Sequence, residues 1–166
     1  YLAFIDADDL WSKKKMEIQF NYMKKNKIQI SHTSYNIINS LNHIVGQRNA
    51  RNFTNINDLL MSCDIGLSTV LLKKSILENK LKFPNIKTKE DFIFWLKIIS
   101  KKHKIYAIKK NLVKWRKLNN SLSSSSMQKL IDGFNVYYKY MNFNFFKSMY
   151  YLFFLSLNFL KKRFND

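Results

Sequence analysis

The stretch YLAFIDADDLW, residues 1–11, joins a mostly apolar run to three aspartates within four positions. An apolar run that stops at acidic residues is typical of a central strand in an α/β sheet, so we predict a strand over residues 1–5. Asp6, Asp8 and Asp9 repel one another unless a cation, a proton or open solvent screens them. Strand ends in such sheets bind ligands, and paired carboxylates favour a divalent cation that holds phosphate oxygens. The structural alternative is that Asp8 or Asp9 caps a helix.

Composition places the chain among folded proteins with a basic surface. Its 166 residues are 46% hydrophobic, enough for one packed domain or part of one, and its net charge is +18. This charge suggests an anionic partner, either a nucleotide, a phospholipid surface or a nucleic acid. Only four of the 29 basic residues are arginine, so a general basic surface or a membrane face fits better, and we expect no nucleic-acid partner. Cys63 is the only cysteine, which excludes a disulfide framework and predicts a buried apolar role.

Periodicity and turn residues predict alternating strands and helices after the opening strand. A short helix is expected to be capped by Asn55 or Asn57, and Thr88 with Asp91 resembles a capping box. The predicted elements are a helix over 10–25, a strand over 28–34, a hairpin of 35–38 and 43–45, a helix over 57–63, a strand over 67–72, a helical turn over 73–78, a helix from 88 to 102, strands over 105–108 and 112–115, and a serine-rich loop over 121–126.

The composition changes at Met127, where Tyr, Phe and Leu begin to dominate. The unbroken apolar core over 149–160 is shorter than the roughly 20 residues that span a bilayer. We therefore predict a helical tail over 127–166 that lies on a membrane surface, binds a partner or packs on the preceding domain.

A second acidic pair, Glu90 and Asp91, stands at the predicted start of a helix. Acids in a first helical turn are stabilised by the helix dipole, which is the structural interpretation of the pair. A carboxylate at a helix start after a loop is also well placed to act as a general base. Arg116 lies before several serines, and a guanidinium with hydroxyls suits phosphate contacts as well as a plain serine linker.

Four stretches in this order resemble the family 2 glycosyltransferases of GT-A fold. They are YLAFIDADDLW at 1–11, IGLSTVLLKKSIL at 65–77, FPNIKTKEDFIFWLKI at 83–98 and WRKLNNSLSS at 115–124. The resemblance implies an α/β, Rossmann-like, nucleotide-diphospho-sugar transferase fold over residues 1–126. It also implies that these residues form the second half of the catalytic domain and that the first half is absent, so we expect this chain alone to be inactive.

The resemblance implies donor-binding roles for the first acidic cluster. Asp6 would face the donor ribose, Asp8 would bind a Mg²⁺ or Mn²⁺ ion on the diphosphate, and Asp9 would support them. Arg116 would also contact the donor. Many relatives carry a histidine where this chain has Leu118, which puts a third protein ligand to the metal in doubt.

For the acceptor, the resemblance implies that Asp91 is the general base of an inverting transfer. Glu90 and Trp95 would help to place the acceptor, either a glycan or a lipid-linked sugar. Bacterial relatives commonly build surface polysaccharides, so we expect a cytoplasmic enzyme that is peripheral at the inner membrane.

Two other functions fit parts of the sequence. A haloacid-dehalogenase-like phosphatase also places Asp-x-Asp after an apolar strand, with Asp6 as nucleophile, but it favours Thr or Val at the position of Leu10. A basic, aromatic-rich module that binds membranes or nucleic acid would need none of the acids, and its binding would fall steeply with salt.

Overall fold

The computed structural model describes residues 1–77, 81–86, 88–118 and 126–164. Its strands are β1 Leu2–Ala3, β2 Leu10–Trp11, β3 Ile30–Ile38, β4 Ile44–Arg48, β5 Leu71–Leu72 and β6 Tyr106–Arg116. Its α-helices are α1 Lys15–Lys25, α2 Ile56–Met61, α3 Glu90–Ser100, α4 Ser126–Asn135 and α5 Phe145–Phe164. Short 3-10 helices occupy Leu67–Thr69 and Lys74–Leu77, and a π-helical turn occupies Val136–Tyr140.

The strands form one mixed sheet in the order β1-β5-β3-β6-β2, and β4 pairs with the same edge of β3 as β5. β3 and β6 run parallel from Ser31 opposite Tyr106 to Ile38 opposite Arg116, whereas the other pairs are antiparallel. The carboxyl ends of β3 and β6 therefore meet at one edge of the sheet, and β2 brings the first acidic cluster to the same edge.

Helix α3 lies in the main hydrophobic core, because apolar side chains cover most of its circumference. Phe92, Ile93, Trp95 and Leu96 all have at most 2% exposed surface. A helix that is apolar all round is stable only when it is covered on all sides. The sheet, α2 and the tail supply that cover, so the start of α3 is held firmly against the rest of the fold.

Helix α1 begins at Lys15, five residues later than predicted, and neither Asp8 nor Asp9 caps it. Leu10 and Trp11 pair instead with β6, and the Ser12 N–H donates to the Leu112 carbonyl at 2.9 Å. Sheet pairing thus overrides the helical periodicity of these residues, and the capping interpretation of the aspartates is wrong.

Other predicted elements are confirmed in part. The hairpin forms, but its first strand continues the preceding strand as one β3, and the two final strands are one β6. The predicted strand over 67–72 divides into a 3-10 turn and the two-residue β5. Asn55 caps α2 by accepting from the Asp58 N–H at 3.1 Å. Glu78 and the serines at 121–125 lie outside the described residues.

The tail packs on the domain through α4, the π-helical turn and α5. Val136, Tyr137 and Tyr151 lie in the same buried cluster as α3. The Tyr137 hydroxyl donates to the Leu60 carbonyl at 2.6 Å. A Cβ on Gly133 would stand 3.0 Å from Leu152 Cδ1, so a glycine here lets α4 approach α5 closely.

Candidate active site

The loop after β1 is fixed by a serine from a distant segment. The Asp6 N–H donates to Ser68 Oγ at 2.9 Å, and the Trp11 indole N–H donates to the Ser68 carbonyl at 2.8 Å. These two bonds hold both ends of the acidic loop against one residue of the 3-10 turn. The loop therefore has a defined shape although it is only a few residues long.

Asp9 is the buried member of the first cluster, with 5% of its surface exposed. Its Oδ1 accepts from the Arg116 backbone N–H at 2.9 Å, which ties the loop to the end of β6. Burial raises the pKa of Asp9, and hydrogen bonds with Ser68 and Arg116 oppose that rise. Asp9 thus ties the loop to the end of β6, and the supporting role at a donor site that the resemblance implies stays a prediction.

The Arg116 guanidinium joins the acidic loop to the β3–β4 hairpin. It donates to the Asp8 carbonyl at 2.9 Å, to the Asn39 carbonyl at 3.1 Å and to Asn42 Oδ1 at 2.8 Å. The structure therefore shows a loop-bracing role for Arg116, and its contact with a donor stays a prediction.

Asp6 and Asp8 present carboxylates at the open side of this loop. Asp8 is exposed and Asp6 is half-buried. Desolvation raises the pKa of Asp6, and the charges of Asp9, Asp8 and Glu90 raise it further. The field at Asp6 thus comes from its own loop and from the start of α3.

The second acidic pair opens α3, directly after a strained residue. Lys89 has a left-handed backbone with φ 68°, and no side chain caps the helix. The Thr88 hydroxyl donates at 2.5 Å to Asp132 Oδ2 in the tail, so the predicted capping box is wrong. Asp91 Oδ1 instead accepts from the Phe92 N–H at 2.7 Å.

The two acidic elements lie near each other, because the Phe4 ring, two residues before Asp6, packs against Trp95, one helical turn after Asp91. Burial raises the pKa of Asp91 to about 6, and the negative charges of Glu90 and Asp6 add to that rise. Reciprocally, the charge of Glu90 contributes to the raised pKa of Asp6. We call these five carboxylates, Asp6, Asp8, Asp9, Glu90 and Asp91, the acidic site.

Trp95 and Leu118, the other two positions singled out in the sequence, differ in burial. Trp95 has no exposed surface and packs in the core against Phe4 and Phe94. Its indole N–H has no hydrogen-bond partner among the described residues, and its contact with an acceptor stays a prediction. Leu118 is 40% exposed beyond the end of β6.

The loop that carries Asp6, Asp8 and Asp9 fits a divalent cation whose ligands are shared between protein carboxylates and a bound phosphate. Among the described residues, no three His, Cys, Asp or Glu side chains come together as a metal site. Asp8 offers an exposed carboxylate, a hard oxygen ligand beside other negative charges. Mg²⁺ commonly takes one or two protein carboxylates and completes its shell with phosphate oxygens and water. The residues present fit such a shared site.

Three residues near the acidic site received no functional role from the sequence. Ser68 shapes the acidic loop, and its only signal is its place in the IGLSTV stretch. Burial is the main cause of the raised pKa values of Cys63 and Tyr35, and the negative charge of Asp91 adds to both. The pKa of the Cys63 thiol rises to about 12, so the thiol stays protonated at neutral pH.

Comparison with curated proteins finds bacterial relatives, although no family model matches the chain. The chain is 39% identical over 132 residues to the Escherichia coli UDP-Glc:alpha-D-GlcNAc-diphosphoundecaprenol beta-1,3-glucosyltransferase WfgD, covering 78% of this chain and 51% of that protein. It is 28% identical to the putative teichuronic acid biosynthesis glycosyltransferase TuaG of Bacillus subtilis, covering 98% and 65%. The chain thus spans about half to two thirds of these relatives.

A solved structure shares the fold. The S. aureus TarS structure in complex with UDP-GlcNAc superposes with a TM-score of 0.61 over 81% of this chain and 39% of that chain. The sequence identity is 15%, so this likeness concerns the fold alone.

Proposed function

The chain belongs to the family 2 glycosyltransferases of GT-A fold, as its motifs predict, and we propose that the protein containing it moves a sugar from a nucleotide-sugar donor to a glycan or lipid-linked acceptor. The observation that carries this proposal is the convergence of two acidic elements far apart in sequence, residues 6–9 and 90–91. Together they offer carboxylates that suit a cation and one carboxylate of raised pKa that suits proton transfer.

The names of the relatives support a bacterial surface glycan as the product. WfgD is named for transfer from UDP-Glc to a sugar on diphosphoundecaprenol, and TuaG for teichuronic acid synthesis. For this protein we propose a UDP-sugar donor and a lipid-linked acceptor of that general chemistry.

On the donor side, Asp8 and the neighbouring carboxylates would hold the nucleotide diphosphate through a Mg²⁺ or Mn²⁺ ion. When bound, that ion supplies positive charge to the leaving diphosphate. Asp6 would accept a hydrogen bond from a ribose hydroxyl. Asp9 and Arg116 keep the loop in place through their mutual hydrogen bond and the three guanidinium bonds.

On the acceptor side, Asp91 would accept the proton of the attacking hydroxyl. The acceptor oxygen forms a bond to the anomeric carbon while the bond from that carbon to the diphosphate breaks, which inverts the configuration. A pKa near 6 suits this role, because the carboxylate is ionised at neutral pH and is more basic than an ordinary aspartate.

The proposal is tested on the full-length protein with a panel of nucleotide sugars and Mn²⁺, read by thermal shift. A true donor at about 100 times its Kd stabilises the fold by about 2.7 kcal/mol. Asp8→Asn should lose at least about tenfold in Mn²⁺-dependent donor affinity, by analogy with losses around metal sites.

Glu17→Gln is the matched control, since it removes an exposed carboxylate from α1 outside the acidic site. It should bind the donor as the wild type does. Failure of every nucleotide sugar to stabilise the protein, or equal donor affinity in Asp8→Asn, would contradict the proposal.

A further inference from the structure

Helix α5 has apolar side chains both toward the core and toward solvent. On its inner side, Asn158 donates to the Met61 carbonyl at 3.0 Å, and Lys162 pairs with buried Asp64 and with Ser62. On its other side, Phe146 is 83% exposed and Phe153 is 59% exposed. A surface helix normally keeps apolar residues toward the core and polar residues toward solvent, so the outward aromatic residues of α5 are the unusual feature.

The exposed apolar residues recur at helical spacing and form one continuous surface. On α5 this outer face consists of Phe146, Met149, Tyr150, Phe153 and Leu160. Met149 and Tyr150 lie three and four positions after Phe146, and Phe153 and Leu160 lie seven and fourteen positions after it. This spacing places all five residues along one side of a helix.

Helix α4 and the π-helical turn lie beside α5 and expose apolar residues of their own. Phe134 packs against Phe145 with ring centroids 5.7 Å apart and stacks on Tyr138 at 5.4 Å. Nearer the end of α5, Lys129 lies over the Phe159 ring at 5.8 Å. The exposed apolar residues that α4 and the turn add are Met127, Leu130, Ile131 and Tyr138. An apolar surface on two packed helices marks an interaction site.

Basic residues predominate in the segment that carries this surface. Residues 127–166 contain six Lys and Arg and two acids, Asp132 and Asp166. Asp132 is buried and is bonded to Thr88, so it does not offset the exposed lysines. Lys139, Lys147 and Lys161 are exposed beside the aromatic residues. Aromatic side chains edged by lysines are the composition of a helix that lies in the headgroup region of an anionic bilayer.

We propose that the outer face of α4 and α5 binds the surface of an anionic lipid bilayer, with α5 parallel to the membrane plane. Among the described residues, none of the helices has the length and the apolar character that a membrane span requires. Charge complementarity favours lipid over a second copy of this chain, because two such faces would bring like charges together.

The position of this face connects it to the acidic site. The Thr88–Asp132 hydrogen bond joins α4 to the segment that leads into Asp91, and Tyr137 and Tyr151 pack in the core with α3. These contacts therefore join the outer face of α4 and α5 to the start of α3. Resting on the proposed function, this arrangement sets Asp91 at a fixed height above the bilayer for a lipid-linked acceptor.

The test uses the full-length protein and sedimentation with vesicles of phosphatidylcholine alone or with 30 mol% phosphatidylglycerol. We expect binding to the anionic vesicles that weakens with salt. Phe146→Gln/Phe153→Gln should bind at least about tenfold more weakly, since two ring insertions are lost. Leu41→Gln, at an exposed apolar residue in the hairpin, is the matched control and should bind like the wild type. Equal binding by the double variant would overturn the proposal.

A single introduced thiol reports what covers the face. Phe146→Cys should react quickly with a water-soluble maleimide without lipid and slowly with anionic vesicles, while Leu41→Cys should react quickly in both. The native Cys63 thiol adds little background, because its pKa is raised to about 12. Slow labelling of Phe146→Cys without lipid, or a loss of self-association in Phe146→Gln/Phe153→Gln, would show a protein contact instead and overturn the proposal.

The donor thermal shift separates this proposal from the proposed function. The double variant should keep the wild-type donor shift and its transfer to a water-soluble acceptor. If no nucleotide sugar shifts the melting temperature of the wild type but the wild type still binds anionic vesicles, only the transferase proposal is contradicted.

Discussion

The acidic site and the outer face of α4 and α5 have opposite chemistry, but both lower the stability of the folded chain in water. One crowds negative charges, which raise one another's pKa values, and the other exposes aromatic rings to water. Neither arrangement stabilises an isolated chain. Each surface is therefore expected to bind a ligand, and we propose a cation with a nucleotide sugar at the first and lipid at the second.

The two regions are also built differently. The acidic site depends on contacts between distant segments, such as Asp6 with Ser68 and Asp9 with Arg116. The outer face depends on the periodicity of one helix and on the contacts of its inner side. Substitutions should therefore separate catalysis from docking.

The largest effect is expected for Asp91→Asn. Loss of a general base costs about a thousandfold in turnover, while donor binding should stay unchanged because Asp91 would contact the acceptor. Single-turnover assays and the donor thermal shift measure the two quantities in one preparation. Turnover within a few fold of the wild type would remove Asp91 from the mechanism.

A second effect concerns the inner side of α5. Asp64→Ala removes the carboxylate that pairs with Lys162 and with Arg51, whose Nε lies 3.1 Å from Asp64 Oδ2. Both cations are partly exposed, so the loss of unfolding free energy should be about 1–2 kcal/mol rather than the larger cost of a fully buried pair. Urea unfolding measures it. Donor binding should not change, and a change there would show that the two regions are coupled.

The pH dependence follows from the raised pKa of Asp91. The base must be ionised, so kcat/KM should rise as the pH increases through about 6 and level off above it. The same group is more protonated in the folded than in the unfolded state between pH 3.8 and about 6. Its contribution to stability is therefore present below pH 3.8 and is lost as the pH rises through about 6. Asp91→Asn should lack this component in pH-dependent melting, and an unchanged profile would contradict the assignment.

The smallest effect is expected for Lys89→Gly. Relief of the left-handed backbone should stabilise the fold by about 0.5 kcal/mol, after the entropy of glycine is set against it. The substitution also removes a positive charge that lowers the pKa of Asp91, so that pKa should rise. Lys27→Gly, at φ 53° after α1, is the control with similar strain relief and no expected effect on Asp91. A rise in both variants would show that the charge of Lys89 is not the cause.

Local signals predicted much of this fold, and distant contacts decided the rest. The hairpin and the Asn55 cap are set by neighbours in sequence, and both form. The cap predicted at Thr88 does not form, because the Thr88 hydroxyl donates to Asp132 in the tail. The helix predicted to begin at Leu10 does not include this residue, because Leu10 pairs with β6 in the sheet. The sequence could not tell the inner from the outer side of α5, since aromatic residues occur on both.

The sequence singled out the five carboxylates of the acidic site, whose roles stay predictions, but it did not predict the contacts that hold their loop in place. Ser68 carries no signal of its own in a single sequence, because serines are common and its partners are backbone groups. Arg116 was predicted to bind the donor, and its bracing of the Asp8 loop became visible only with the β3–β4 hairpin in place.

The central claim is that residues 6–9 and 90–91 form one site, and carboxyl titrations by ¹³C NMR test it most directly. We expect Asp91 to titrate near pH 6 and its pKa to fall in Asp6→Asn, where one neighbouring negative charge is removed. Glu17→Gln should leave that pKa unchanged. An Asp91 pKa near 3.8, or one that does not respond to Asp6→Asn, would contradict the claim.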